Sequence, residues 1–205
     1  LNLKLRRLGI QDYRKTWASM QNVILSKGNE DPDELWLLEH FPVYTLGFGA
    51  SEDHLLTESN IPVIRSDRGG EVTYHGPGQI VAYFLINLRR KNWGPKRFVN
   101  ELEASVMDFL KKYNISSSRQ SGDPGIYVKD KKISSVGLKI KRGFSYHGLS
   151  INIDMDLSPF ENINVCGNEG LKVTHLNKFA EVSIDRAIKD FEKTAKERFE
   201  GIMSR

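Results

Sequence analysis

The chain is almost without cysteine. Cys166 is the single thiol in 205 residues, which excludes an intramolecular disulfide and any cysteine-rich zinc site. No apolar run approaches the length of a membrane span, and the N-terminal stretch L-N-L-K-L-R-R-L-G-I has no apolar core of signal-peptide length. No membrane partner is expected, and a cytoplasmic location is. The numbering starts at Leu1, so an initiator methionine is expected before it. There is no HExxH motif and no paired His/carboxylate spacing of the kind that holds a metal. Asp154-Met155-Asp156 lacks the other elements of a calcium loop and reads as a turn. Charge is not blocked into a tail. The formal net charge of +4 is a poor signature for nucleic acid and fits a surface that meets acidic protein partners. Internal repeats, low-complexity tracts and linkers are missing too, so one domain over residues 1–205 is expected.

What is present is an ordinary soluble composition, 39% hydrophobic and 27% charged, in which strand and helix patterns mix without regular alternation. Residues 2–8 alternate as a strand. Tyr13, Trp17, Met20 and Ile24 recur at helical spacing, with Gly28 in the position of a C-terminal cap. Residues 35–39 read as a buried strand, and His40, beside Pro42, as a turn residue. Residues 61–65 and 80–88 are further strands, the second a nearly continuous apolar run of the kind covered on both faces. Pro95 opens an amphipathic helix carried by Phe98, Leu102, Val106, Phe109 and Tyr113. A polar link at 116–123 leads to a hairpin, 125–129 and 132–140, turning at Asp130-Lys131, and then to a strand at 144–153. Ile184, Ile188, Phe191, Ala195 and Phe199 mark a last helix, capped by Ser183. The class is α+β, or mixed α/β.

One stretch stands apart. Arg68–Gln79, R-G-G-E-V-T-Y-H-G-P-G-Q, packs four glycines among polar side chains, between apolar runs. So much glycine means tight turning, or close approach to something a Cβ would keep away, and the interleaved polar groups suggest a binding loop. A strand follows it. P-loops and dinucleotide fingerprints need a helix directly after their glycines, so neither is present.

Cys166 lies in irregular polar sequence, followed by Gly167 and then Gly170. A cysteine at a loop tip can present its sulfur to a substrate, but a free thiol, with a pKa of about 8.5, is only a few per cent ionised at neutral pH. Lowering that value by about 1.5 units would half-ionise it and needs roughly 2 kcal/mol, which one nearby cation or general base can supply. Lys131 and Lys132 stand at the start of a strand continuing Ile133-Ser134-Ser135-Val136-Gly137, small and polar enough to line a cleft. His75 and His147 are the other candidates. A Cys–His pair is the general expectation, and spacing leaves the choice open.

Taken together these segments resemble the lipoyl(octanoyl) transferases. The resemblance is carried by the Arg68–Gln79 run and by Gly125-Ile126-Tyr127-Val128 with Lys132-Ile133. It continues through Gly137-Leu138-Lys139-Ile140 with Arg142-Gly143, and through Tyr146-His147-Gly148-Leu149 with Asn152-Ile153-Asp154. Cys166-Gly167 with Gly170 and Thr174, and the earlier Glu39-His40 and Pro42–Gly47, complete a likeness running in order from about residue 35 to 177. It implies the mixed-sheet, helix-flanked fold of the biotin/lipoate protein ligases. It also implies a dyad of Cys166 as nucleophile and Lys132 as the residue that promotes its ionisation. The implied acyl-binding set is Arg68, Gly69, Gly70, Glu71, Val72, Thr73, Tyr74 and His75, with Ser135, Val136, Gly137, Gly148, Leu149 and Ser150. His75 either orients the acyl carbonyl or fixes the loop. Phe48 departs from the family pattern, where a polar residue is expected at the pocket rim.

The implied reaction takes an octanoyl group from octanoyl-acyl carrier protein onto Cys166 and then onto a lysine of an acceptor. The acceptors are lipoyl domains of 2-oxoacid dehydrogenase complexes and the glycine-cleavage H protein. No cofactor, ATP, metal or nucleic acid is expected. An ATP-dependent lipoate or biotin ligase of the same fold is the alternative; it would build an acyl-adenylate and need no cysteine nucleophile. A non-catalytic module using a basic face for nucleic acid is a third, and would give Cys166 no role.

Overall fold

The computed structural model describes residues 3–201, so residue 2 of the expected first strand lies outside them. In chain order the elements are β1 (Lys4–Gln11), α1 (Tyr13–Ser26), β2 (Glu34–His40), β3 (Val43–Leu46), β4 (Val63–Arg65), β5 (Thr73–His75) and β6 (Gln79–Leu85). Then come α2 (Pro95–Lys111), β7 (Ser118–Gln120), β8 (Asp123–Val128), β9 (Lys131–Lys141), β10 (Phe144–Asn152) and α3 (Ile184–Gly201). Seven strands form one sheet in the order β1-β2-β6-β10-β9-β8-β7, and three form a second, β4-β3-β5. Each sheet has one parallel pair, β1 with β2 and β3 with β4, and is otherwise antiparallel. Among the described residues no helix is long and apolar enough to cross a membrane.

The apolar runs are continuous because the large sheet is buried on both faces. Along β2 and β6, Leu35, Leu37, Ile80, Ala82 and Phe84 point to one side, where they meet Phe98, Leu102, Val106 and Phe109 of α2 and Phe191 and Phe199 of α3. The alternate residues Trp36, Leu38, Val81, Tyr83 and Leu85 point to the other, against Met20 and Ile24 of α1. α1 starts where Asp12 accepts a hydrogen bond from the Lys15 N–H, 2.9 Å. Ser183 caps α3 through the Arg186 N–H, 3.4 Å. The small sheet has its own core, in which Tyr44, Leu46, Val72 and Tyr74 meet Phe160, Ile163 and Val165.

Four expectations need correcting. His40 is no turn residue: it ends β2 fully buried, its Nδ1 donating to Gln11 O (3.0 Å) and its Nε2 accepting from Tyr83 Oη (2.7 Å), and the chain turns at Phe41-Pro42. The glycine-rich stretch is not loop throughout, because β5 lies inside it, and the polar link holds β7. The β8–β9 hairpin turns one residue earlier than expected, at Lys129 and Asp130, with φ of 49° and 63°. Two consecutive positive φ angles match the right-handed twist of the flanking strands, and Asp tolerates them well. Gly28 does stand in the expected C′ position, directly after the Lys27 cap, without a left-handed conformation; the Lys27 N–H closes the helix on Val23 O.

The Phe84 and Phe199 rings lie 4.9 Å apart at the centre of the α2/α3 face. Phe199→Ala is expected to cost about 3–5 kcal/mol, through lost burial and an unfilled cavity. The measurement is the urea midpoint, falling with an unchanged m value.

Candidate active site

The site is assembled by a chain return. After β10 the chain passes through a 3-10 turn at Ser158–Asn162 and another at Val165–Gly167, then comes back along β9. There the Lys132 N–H donates to Lys172 O and the Thr174 N–H donates to Lys132 O, both 2.9 Å. Lys132 is thus gripped on both sides of its own backbone by the segment that carries Cys166. Val165 anchors that segment in the small core, while Cys166 sits at φ 55°, ψ 25°, a left-handed conformation uncommon for any residue but glycine. Its N–H donates to Val72 O, 3.3 Å, tying the turn to the glycine-rich wall.

Lys132 Nζ lies 3.0 Å from Cys166 Sγ, and its side chain is 1% exposed. Nζ also donates to Asp123 Oδ1, while Asp123 Oδ2 accepts from the hydroxyl of buried Tyr127. Gly125 makes room for this: at φ 147°, a Cβ there would fall 2.3 Å from Ser134 O and 2.7 Å from Lys132 Cε. Burial pushes the Cys166 thiol up; Lys132 pulls it down by charge and hydrogen bonding, and Asp123 pushes it up again. Burial wins. The thiol therefore lies above its ordinary range, against the expectation that one nearby cation would half-ionise it.

Cys166 opens on a cavity of about 420 Å³. Its walls include Arg68, Gly69, Gly70, Glu71, Val72, Thr73 and His75, with Ser135, Val136 and Gly137 of β9 and Gly148, Leu149 and Ser150 of β10. Lys132 sits behind the sulfur rather than on the wall. Tyr74 is the exception among the expected pocket residues: β5 alternates, so Thr73 and His75 face the cavity while Tyr74 turns into the small core against Tyr44 and Phe160.

The cavity's polar residues are mostly tied up. Arg68 donates to Thr45 O (2.7 Å), Glu71 O (2.8 Å), Gly69 O (2.9 Å) and Thr45 Oγ1, so its guanidinium braces the loop. Gly47 lets that loop close, since a Cβ there would lie 1.7 Å from Gly70 O. The Gln79 amide nitrogen is committed to Tyr74 O and Asn152 Oδ1, so its oxygen accepts from His75 Nδ1 at 2.7 Å. That bond ties His75 into its own loop through Nδ1. His147, with φ 60°, donates from Nε2 to Asp67 Oδ1 at 2.9 Å. The neighbouring Tyr146 hydroxyl reaches Asp67 Oδ2 at 2.5 Å, which two successive side chains of a regular strand could not do together. These partners hold the Asp67 carboxyl well below the usual carboxylate range, although its burial acts the other way. Neither His75 nor His147 bonds to Cys166. Among the described residues no group of three or more His, Cys, Asp or Glu is placed to hold a metal. Phe48 is 76% exposed beside the Arg68 wall, with Lys139 Nζ 5.2 Å over its ring.

Asp123 and Asp67 are the functional-site residues that sequence reasoning missed. The acidic residue directly before Pro124-Gly125, in a motif that also holds Tyr127 and Lys132, was the available signal for the first. Nothing in the sequence marks Asp67, whose partners come from β10.

Residues 12–200 match the family model described as the lipoyl protein ligase A/B catalytic domain. An octanoyltransferase of Vibrio atlanticus (strain LGP32) is 50% identical over 176 residues, covering 86% of this chain and 80% of that protein. Among solved structures, lipoate-protein ligase A bound with ATP superposes with a TM-score of 0.83 at 16% identity, over 98% of this chain and 86% of that one. A biotin protein ligase from Aquifex aeolicus gives 0.57 at 14% identity, over 100% and 71%. With these structures the likeness is one of fold, mixed α/β with helix-flanked sheets.

Burial holds His40 at about 4 and His75 at about 3, against about 6.5 for an exposed imidazole. As pH falls below about 6.5 the unfolded chain takes up protons at both positions while the folded one does not. Their contribution to stability is complete above that pH and is lost as pH falls toward 4 and 3. Tm is expected to drop by about 10 °C or more between pH 7 and 4.5, with a shallower slope in His40→Gln. A Tm flat across that range would contradict the buried neutral pair.

Proposed function

The chain belongs to the lipoyl protein ligase A/B catalytic-domain family, and we propose that it moves an octanoyl group from an acyl carrier protein, through a Cys166 thioester, to a lysine of a lipoyl-accepting domain. Its relatives at about half identity are octanoyltransferases, and the enzyme is an acyltransferase of octanoyl transfer in lipoate biosynthesis. The observation that carries the finer reading is the 3.0 Å contact between Lys132 Nζ and Cys166 Sγ at the wall of a cavity framed by Val72, Val81, Val136, Leu138 and Leu149.

In the first step the Cys166 sulfur attacks the carbonyl carbon of the donor thioester. The new S–C bond forms, an oxyanion collapses, and the donor C–S bond breaks, with the thiol proton passing to the departing sulfur. In the second step an acceptor amine attacks the Cys166 thioester and an amide forms. The C–S bond breaks, its electron pair stays on Cys166, and the proton lost by the amine returns there. Lys132 stabilises the sulfur anion at both moments. The N–H groups of Gly69, Cys166 and Gly167 are already given to Leu138 O, Val72 O and Asn164 O and are not free to receive the oxyanion. Burying an eight-carbon chain would contribute at most about 5 kcal/mol, at about 0.8 kcal/mol per CH₂. The donor is already a thioester, so the reaction requires no ATP. The acceptors are those that the family resemblance implies: lipoyl domains of 2-oxoacid dehydrogenase complexes and the glycine-cleavage H protein.

The experiment is intact mass after incubation with octanoyl-acyl carrier protein in the absence of ATP. An octanoyl adduct that hydroxylamine removes, and that Cys166→Ser does not form as a thioester, is expected. Unmodified wild-type protein, or modification only with ATP, would overturn the reading in favour of an adenylating ligase. Lys132→Ala is expected to slow acylation by about 10–100-fold at neutral pH, with the pH–rate profile displaced upward.

A further inference from the structure

The dyad has a third charged member. Each hydrogen of the Lys132 ammonium has a direction to point in: Asp123 Oδ1, Cys166 Sγ at 3.0 Å, and the face of Tyr127, whose centroid is 5.3 Å from Nζ. The carboxylate and the sulfur therefore draw on the same cation inside a buried pocket. Tyr127 Oη donates to the other oxygen of Asp123 and fixes which way the carboxylate faces. Burial and Asp123 together keep the Tyr127 phenol protonated, so it acts as a donor only.

We propose that Asp123 is a positioning residue that competes with Cys166 for the Lys132 ammonium, so that the free enzyme rests as a thiol beside a neutral Lys132–Asp123 pair. With Lys132 and Asp123 both charged the local sum is zero. Ionising Cys166 would leave one uncompensated negative charge in a buried site, which is costly unless something offsets it. The other groups around the sulfur do not offset it. Arg68 is near enough for its charge to be felt, yet its guanidinium is committed to carbonyls of its own loop. Glu71 and His54, beside Gly167, form a pair 3.9 Å apart, and Glu103 of α2 accepts from the Gly125 N–H while pairing with Arg119. Asp123 accordingly raises the thiol, by charge and by hydrogen bonding, beside the larger effect of burial.

This arrangement has a use in both halves of the reaction. Once Cys166 is a thioester its sulfur no longer competes for the cation, and Asp123 alone holds Lys132 in place. The ammonium then waits where the thiolate reappears when the amine displaces it. Without Asp123 a lysine in that position would have no anionic partner throughout the life of the acyl-enzyme.

The test is the pH dependence of Cys166 alkylation by iodoacetamide, read by mass in the full-length protein. Asp123→Asn keeps an oxygen for Lys132 and removes the charge. Its midpoint is expected about one pH unit below wild type, with alkylation near pH 7 up to about tenfold faster. Tyr127→Phe strips the carboxylate of its donor and should move the midpoint the other way. An Asp123→Asn midpoint at or above the wild-type value overturns the proposal. Should that variant not fold, Tyr127→Phe decides alone: an upward shift supports the proposal and an unmoved midpoint overturns it. The proposal rests on Cys166 being the nucleophile, but alkylation needs no acyl donor. A wild-type protein that fails to form the octanoyl adduct would therefore sink the transferase reading, and an unmoved midpoint would sink only the role of Asp123.

Discussion

The pairing of Lys132 with the returning segment at residues 172–174 is the constraint on which the site depends. Two backbone hydrogen bonds of 2.9 Å bracket Lys132, one from its N–H and one to its carbonyl. They convert a sequence separation of 34 residues into a 3.0 Å contact between nitrogen and sulfur. A side chain as long as lysine has considerable rotamer freedom to lose, and here both ends are held, the backbone by this pairing and the ammonium by Asp123. Neither β9 nor the Cys166 turn would place the two groups together by itself.

The same pairing connects to the far wall through a line of amides. His75 Nδ1 donates to Gln79 Oε1, Gln79 Nε2 to Asn152 Oδ1, Asn152 Nδ2 to Thr174 O, and the Thr174 N–H to Lys132 O. These bonds run from the small sheet through β6 and β10 to β9. Each amide side chain uses its oxygen and its nitrogen toward different partners, so no flip satisfies the line equally well. The glycine-rich wall and the dyad are thus held in one frame, although they belong to different sheets. Gly47 and Arg68 complete the frame from the other side, by letting the loop close and then bracing its carbonyls.

How much of this the sequence revealed follows from the range of each interaction. The helices were legible because their apolar spacing is local, and the double-sided strands because residues 35–38 of β2 and 80–85 of β6 are apolar at every step. Cys166 and Lys132 came from the family resemblance, where composition and spacing had left His75 and His147 open. Tyr74 was placed in the pocket because three-residue β5 is too short, among glycines, to reveal its alternation. His40 read as a turn residue because Pro42 is near, whereas its partners Gln11 and Tyr83 come from two other strands. Asp67 and Asp123 escaped for a related reason. A carboxylate takes its meaning from the cation or donors beside it, and for both residues those are fixed only by strand register.

The polar groups in and behind the cavity wall are largely neutralised, which would suit an alkyl chain as much as the apolar lining does. His40 and His75 are held uncharged by burial, each with a donor or acceptor already engaged. Asp67 is charged but surrounded by donors from His147, Tyr146 and Gln21. Arg68 keeps its charge and spends it on carbonyl oxygens. An alkyl chain brings no hydrogen bond to exchange for those it would displace, so a free charge in the wall would have to be desolvated without compensation. The one charge balance left open is at Cys166, where Lys132 stands between two groups that can each hold it. Elsewhere on the wall the polar atoms without a partner are few, among them Glu71 Oε2 and His147 Nδ1.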